Sequence, residues 1–263
     1  MPFTFAHPAA VLPLCWFRTV PMVFPALAIG SMTPDIVYFL PLNLDGEFSH
    51  SFLGLLLFCL PAGLLLYLLV CHLLRQPLIA LLPGVLARRL PARPSPRNTT
   101  TARHVFWVML SLFIGAVTHL LWDDLTHYDA VFTLHGELLA ELTGQHNIRI
   151  GIYPLAQHFS TIAGIMLLVG AVRRWAARTA PLASHVRRPG PIWRRVIWAG
   201  MVAVATAAMV LAWRHSAAEP LSLRGFHTVV AAIRWVAVAI LGWCAAWHLA
   251  AQRLVPSNAE SRP

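Results

Sequence analysis

Lysine is missing altogether from these 263 residues, and aspartate and glutamate together number only 10. All 20 side chains of fixed positive charge are therefore arginines, and the formal charge is +10. Charged residues make up 11% of the chain against 58% hydrophobic, a balance that argues against a soluble globular domain. Cysteine pairing is missing too. Cys15, Cys59, Cys71 and Cys244 all lie in apolar segments with no CxxC spacing. That excludes a disulfide frame or thiolate metal site and leaves them as small hydrophobes. There is no internal repeat and no low-complexity tract. The opening MPFTFAHPAA lacks the basic start of a cleaved signal peptide, so the N-terminus is expected to belong to the mature protein.

What the chain has in abundance is long apolar runs. Ser51–Leu74, His104–Trp122, Ile152–Val172, Val196–Trp213 and Phe226–Leu249 are each long enough to cross a hydrocarbon core of about 30 Å. The expected fold is all-α, a polytopic transmembrane helical bundle of about five spans. Residues 9–30 add a membrane segment broken by Pro13, Pro21 and Pro25, with Arg18 in its middle. Such a segment fits a pair of half-helices that dip in and return, with a full crossing as the rival. Residues 78–90 suggest a short interfacial helix, and ARPSPRNTT a polar linker.

The arginines set the orientation. Arg75, Arg88, Arg89, Arg93, Arg97 and Arg103 fill one loop, and Arg173, Arg174, Arg178, Arg187, Arg188, Arg194 and Arg195 fill another. Basic residues beside spans mark the cytoplasmic side, and anionic membrane lipids are sufficient partners for that charge. No nucleic-acid role is expected, and no protein partner is inferable. Residues 1–172 form one membrane domain, 173–195 an Arg-rich cytoplasmic loop, 196–250 two C-terminal transmembrane helices and 251–263 a tail. The segment Asp123–Gly151 then faces outward, and its excess of carboxylates over basic residues agrees.

This topology, drawn from arginines alone, gathers a second set of residues at one surface. Asp35, His50, His119, Asp123, His127 and His158 all fall at the outer side, and His7 joins them if residues 9–30 dip in and return. In GAVTHLLWDDLTH, residues 115–127, steps of four residues keep His119, Asp123 and His127 on one helical stripe. Imidazoles and carboxylates are the usual ligands of zinc and related divalent ions. A His-x3-Asp pair presents two such ligands from one turn, as the His pair of H-E-x-x-H does. Any one of these residues alone reads more simply as an interfacial polar tip or a helix cap. Together they read as a metal site, because ionisable groups at bilayer depth are costly and pair with one another or face a cavity. Seven candidates suit one or two ions, with some groups left for acid–base work. Arg234, well inside the last span, reads as structural.

The motifs FAHPAAVLPL, GSMTPDIVYFL, FSHSFLGLLLFCLP, GAVTHLLWDDLTH and YPLAQHFSTIAG, in this order, resemble the bacterial membrane proteins grouped as domain of unknown function family 4184, over about residues 2–172. More distantly, the succession His7, Pro34-Asp35, His50-Ser51, His119 with Asp123 resembles inner-membrane metal-dependent hydrolases. The ligand order is also similar to that of zinc-dependent phospholipase C, although the N-terminal Trp and later His-x3-Glu of those enzymes are absent. The resemblance implies His7, Asp35, His50, His119 and Asp123, with His127, as metal ligands; His158, followed by Phe-Ser-Thr-Ile, departs from the pattern and is a candidate ligand on its position alone.

The expectation is an integral protein of the bacterial inner (cytoplasmic) membrane, a zinc- or other metal-dependent hydrolase with an extracytoplasmic site. Its substrate class is a phosphoester or other ester of lipid or envelope type. Asp123 or Asp35 would bridge ions or orient a water, and His127 or His158 would protonate the leaving group. The rivals are a non-catalytic metal-binding protein or transporter, and a scaffold whose polar cluster only holds helices together.

Overall fold

The computed structural model describes residues 3–16, 21–40, 46–92, 101–126, 148–182 and 186–252. Among them every regular element is helical. Five helices are long and apolar enough to cross a membrane: Phe52–Leu81, Ala102–Thr126, Leu155–Arg178, Pro191–His215 and Leu221–Ala250. They overlap the five apolar runs one for one. Their outward side chains are apolar, Leu57, Leu65, Phe159, Met166 and Leu211 among them, and such a surface is stable only against lipid. This is an all-α, multi-pass membrane protein.

The chain forms two compact units. The first contains Met1–Leu69 and Pro94–Ala180. It opens with a 3-10 turn, Thr4–Ala9, and a second, Leu12–Trp16. Helix α1, Phe24–Gly30, has seven residues, about 10 Å of rise, so it does not cross a bilayer by itself. Helix α2 is the span Phe52–Leu81, whose residues from Val70 on belong to the second unit together with α3, Gly84–Ala87, and α4 is Ala102–Thr126.

Helix α1 lies directly on α4 because glycines permit it. A Cβ at Gly30 would sit 2.2 Å from the Leu112 carbonyl oxygen, and one at Gly115 would sit 2.3 Å from that of Leu27. Small residues of this kind let helix backbones approach inside membranes. Ser111 completes the seam: its hydroxyl accepts from Val23 N–H at 3.0 Å and donates to the Trp107 carbonyl, satisfying a helix-start donor that no intrahelical carbonyl reaches. Leu55, Cys59, Ala116 and Leu120 form the buried contact between α2 and α4.

Helix α2 is not uniform. It widens to π geometry at Leu55–Cys59, where Leu60 N–H reaches back to the Leu55 carbonyl, and again at Val70–Leu74. Its entry is a tight turn: a Cβ on Gly54 would lie 1.7 Å from the Phe48 carbonyl oxygen, and the Ser51 hydroxyl accepts from Gly54 N–H. Helix α5, Ile148–Arg178, holds the N-terminal turn, with Phe3 N–H donating to the Thr161 hydroxyl and Gly164 packed on Ala6.

The second unit contains Val70–Arg93 and Pro181–Pro263. Helices α6, Pro191–His215, and α7, Leu221–Gln252, form a hairpin. Ile79, Ala80, Ala87 and Val186 make its core, flanked by Trp243 and Trp247. Pro77 lacks the N–H that would satisfy the Leu73 carbonyl four residues back. His248 Nε2 donates to that carbonyl instead, at 2.9 Å. The sequence suggested one short helix over 78–90. In the structure residues up to Leu81 continue the preceding span, Leu82 is extended, and a separate turn of helix runs Gly84–Ala87. Pro83 explains the break, since the residue before a proline is driven out of helical geometry.

Candidate metal centre

Four separate pieces of the first unit deliver polar side chains to one point. His7 comes from the Thr4–Ala9 turn and Asp35 from the Thr33–Asp35 turn that follows α1. His50 precedes α2, and His119 and Asp123 lie one helical turn apart near the end of α4. His7, Asp35, His119 and Asp123 are buried, with His119 fully so. His50 and Asp123 show the most solvent, 16% and 8% of their side chains, so they form the rim.

The separations decide what kind of cluster this is. His119 Nε2 lies 3.2 Å from Asp123 Oδ2 and 3.6 Å from Asp35 Oδ1. His50 Nε2 lies 3.5 Å from the same Asp35 oxygen and 3.7 Å from the same Asp123 oxygen. A hydrogen-bonded network would close these gaps to about 2.7–3.2 Å, and three of the four are wider. A tetrahedron with bonds of 2.0–2.1 Å to nitrogen and oxygen has edges of about 3.3 Å. Each of the four separations is therefore close to that between neighbouring ligands in a coordination shell. Two three-residue groups satisfy metal-ligand spacing, His7–His119–Asp123 and Asp35–His50–His119, and they share His119. His7 Nε2 sits 3.7 Å from the other Asp123 oxygen, and its ring stacks on His119 with centroids 3.8 Å apart.

His119, His50 and Asp35 are each aimed by a partner behind them. A carbonyl can only accept, so His119 Nδ1 carries a proton and donates to Ser31 O at 2.8 Å. His50 Nδ1 likewise donates to Gly46 O at 2.8 Å. Both Nε2 lone pairs then face the cluster, the orientation that metal-binding histidines take from their surroundings. The Thr4 hydroxyl donates to Asp35 Oδ2 at 2.6 Å, leaving Oδ1 turned inward. Ser49 donates to the Pro34 carbonyl at 2.8 Å, and the Cys59 thiol donates to the Ser49 carbonyl. The turns bearing Asp35 and His50 are thereby fastened to each other and to α2.

The inward atoms have nothing else to bond. His7 Nε2, Asp35 Oδ1, His50 Nε2 and His119 Nε2 are buried without a hydrogen-bond partner. Buried polar atoms are normally satisfied, and leaving several together unsatisfied is costly. A cation held by either ligand group would satisfy that group's inward atoms and offset the charge of its buried carboxylate. Protonation states agree. Burial, helped by the neighbouring His119, pushes the His7 imidazole down to about 4. For Asp35 burial works against ionisation, but His119, His50, His7 and Thr4 outweigh it and hold the carboxyl well below its usual range. At neutral pH both are in the ligating form.

The family model described as Domain of unknown function (DUF4184) matches residues 1–247. The chain belongs to that family. The match takes in both C-terminal helices, beyond the 2–172 over which the motif resemblance ran. No curated protein matches this DUF4184 chain, and no solved structure does.

Of the seven residues singled out from the sequence, five come together: His7, Asp35, His50, His119 and Asp123. His158 is exposed on α5 and belongs to neither ligand group, while its neighbour Gln157 donates to the Thr126 carbonyl. His127 lies outside the described residues. The aiming residues Thr4, Ser31 and Ser49 went unnoticed in the sequence. In FSHS it is Ser49, not Ser51, that touches His50, at 3.1 Å, whereas Ser51 caps the start of α2.

Proposed function

We propose that this membrane protein is a metal-dependent hydrolase whose centre is built by Asp35, His50, His119 and Asp123, with His7 beside them. The observation that carries the reading is the set of buried, inward-facing atoms His7 Nε2, Asp35 Oδ1, His50 Nε2 and His119 Nε2 without hydrogen-bond partners, with Asp35 Oδ1 lying 3.5 and 3.6 Å from the His50 and His119 nitrogens. A divalent ion held there, zinc fitting the donor set best, would act as a Lewis acid and lower the pKa of a coordinated water toward about 7. The chain's own residues supply the rest. His50 and Asp123 form the solvent-facing side through which a substrate would enter. Asp123, with one oxygen toward His119 and the other toward His7, orients the attacking group and takes up its proton. His7, neutral at working pH, stands on the buried side of Asp123 as a further candidate ligand. His127 and His158 are retained as the candidates for protonating a leaving group.

The extracytoplasmic placement follows from charge. His50 begins α2 while His119 and Asp123 end α4, so the ligands share one membrane surface. Arg103 at the start of α4 and Arg173, Arg174 and Arg178 at the end of α5 belong to the other, and basic ends stay in the cytoplasm. A centre at the headgroup layer suits a phosphoester or other ester of a lipid or envelope precursor.

The test is turnover of phospholipid and polyprenyl-phosphate esters by the purified full chain in proteoliposomes. We expect hydrolysis that a chelator abolishes and zinc restores, and that falls by at least about 100-fold in the His119→Ala, Asp123→Ala double variant. Stoichiometric metal with ion flux and no ester turnover would replace the hydrolase with a transporter.

A further inference from the structure

The second unit holds a cluster of arginines that no described carboxylate answers. Arg188, in the segment leading into α6, donates through Nε to the Ala80 carbonyl at 3.4 Å and through Nη2 to that of Leu82. Its remaining nitrogen, Nη1, points over Gly84, where a Cβ would lie only 3.3 Å away. Arg88 arrives at the same spot, with Nη2 at 3.7 Å and Nε at 4.0 Å from that Cβ position. The missing side chain of Gly84 is thus a small cradle into which two guanidinium groups converge. Arg194, on the first turn of α6, is close enough that its charge and that of Arg88 both act on Arg188, and its Nε is buried without a hydrogen-bond partner.

Like charges do not gather unless something negative joins them. Among the described residues of this unit the only carboxylate is Glu219. It is bonded to His227 at 2.6 Å, beyond the opposite end of α6, a helix of 25 residues and so about 37 Å long. The cradle also lies just past Leu81 and just before Pro191, the ends of two candidate spans, which is the depth of lipid phosphates.

We propose that Arg88 and Arg188 at Gly84, with Arg194 beside Arg188, form a binding site for a phosphate group, of the kind carried by an anionic phospholipid headgroup or by free phosphate. Planar guanidinium forks suit phosphate oxygens, and Arg188 is pre-set for the task because two backbone carbonyls already fix its other nitrogens.

The experiment uses the full chain in detergent, titrated with dioleoyl-phosphatidylglycerol, dioleoyl-phosphatidylcholine or inorganic phosphate, with bound ligand read by native mass spectrometry and by the shift in melting temperature. Binding of phosphatidylglycerol or of inorganic phosphate, with phosphatidylcholine weaker than phosphatidylglycerol, is expected. Preference for the lipid identifies a headgroup site, and equal response to phosphate a free-anion site. Arg188→Gln should weaken binding about tenfold. Because that change also frees two carbonyls, Gly84→Ala is the decisive variant: it fills the cradle while keeping every charge, and should weaken binding similarly. Arg195→Gln removes an exposed charge next to Arg194 and should have little effect. Binding that ignores Gly84→Ala, or that falls as much with Arg195→Gln as with Arg188→Gln, would show diffuse attraction and overturn the site.

Discussion

The hydroxyl of Thr4 makes one short bond, to Asp35 Oδ2, and that bond decides which carboxylate oxygen is offered to the centre. Partners of this kind typically contribute 10–100-fold to metal affinity. Thr4→Val, which keeps the shape and removes the donor, should weaken zinc binding by about that factor in a chelator-competition titration. Unchanged affinity would mean that Asp35 is not a ligand. His7 gives a second test. It resists protonation down to about 4 in the fold and titrates near 6.5 when exposed. Between those values the metal-free folded chain binds fewer protons than the unfolded one, so His7's contribution to stability is full above about 6.5 and is lost as pH falls toward 4. In chelator, His7→Gln should therefore melt with a shallower pH dependence across that window than the unaltered chain, and parallel curves would contradict the assignment. The five residues that come together were legible in the sequence because histidine and aspartate are expensive at membrane depth. Their supports were not. Threonine and serine occur everywhere, and Ser31 acts on His119 through a backbone carbonyl, which leaves no trace in residue type.

At the scale of elements, α1 and α4 bring Ser31 and His119 together only because Gly30 and Gly115 let the two backbones approach. Gly115→Leu should force them apart, lowering stability by about 1–3 kcal/mol and metal occupancy with it. Gly170→Ala, on α5 with open space around it, should leave both nearly unchanged. Melting curves and metal analysis of the two variants, side by side, check this. If Gly115→Leu melts lower yet retains full metal, the helix seam does not position the site. The five spans were readable as apolar runs, whose length is a property of composition. The N-terminal segment was readable only as broken: Pro13, Pro21 and Pro25 say where a helix cannot run. They do not say that the turn Thr4–Ala9 before them folds against α4 and α5, or that the piece after Pro21 becomes the short helix α1. The 78–90 stretch shows the same limit. Its apolar pattern suggested one helix, and Pro83 divided it.

For the whole molecule, the arrangement of four chain segments around one point is the property that sequence spacing could suggest but not supply. His7 and His119 are 112 positions apart in number, yet their rings stack, and nothing local in either motif encodes that contact. Such convergence is bought by tertiary packing, and a cation at the centre would return part of the cost by satisfying atoms otherwise buried unpaired. Stability and metal should therefore be linked: removing the ion with a chelator is expected to lower the melting temperature of the unaltered chain, and saturating zinc to restore it. The most direct test is metal content with X-ray absorption on the purified full chain and on its Asp35→Asn, His119→Ala double variant. About one ion per chain is expected, with a nitrogen/oxygen shell near 2.0–2.1 Å and no sulfur at 2.3 Å, and its loss in the variant. Equal metal in both proteins, or a sulfur shell, would contradict the proposed centre.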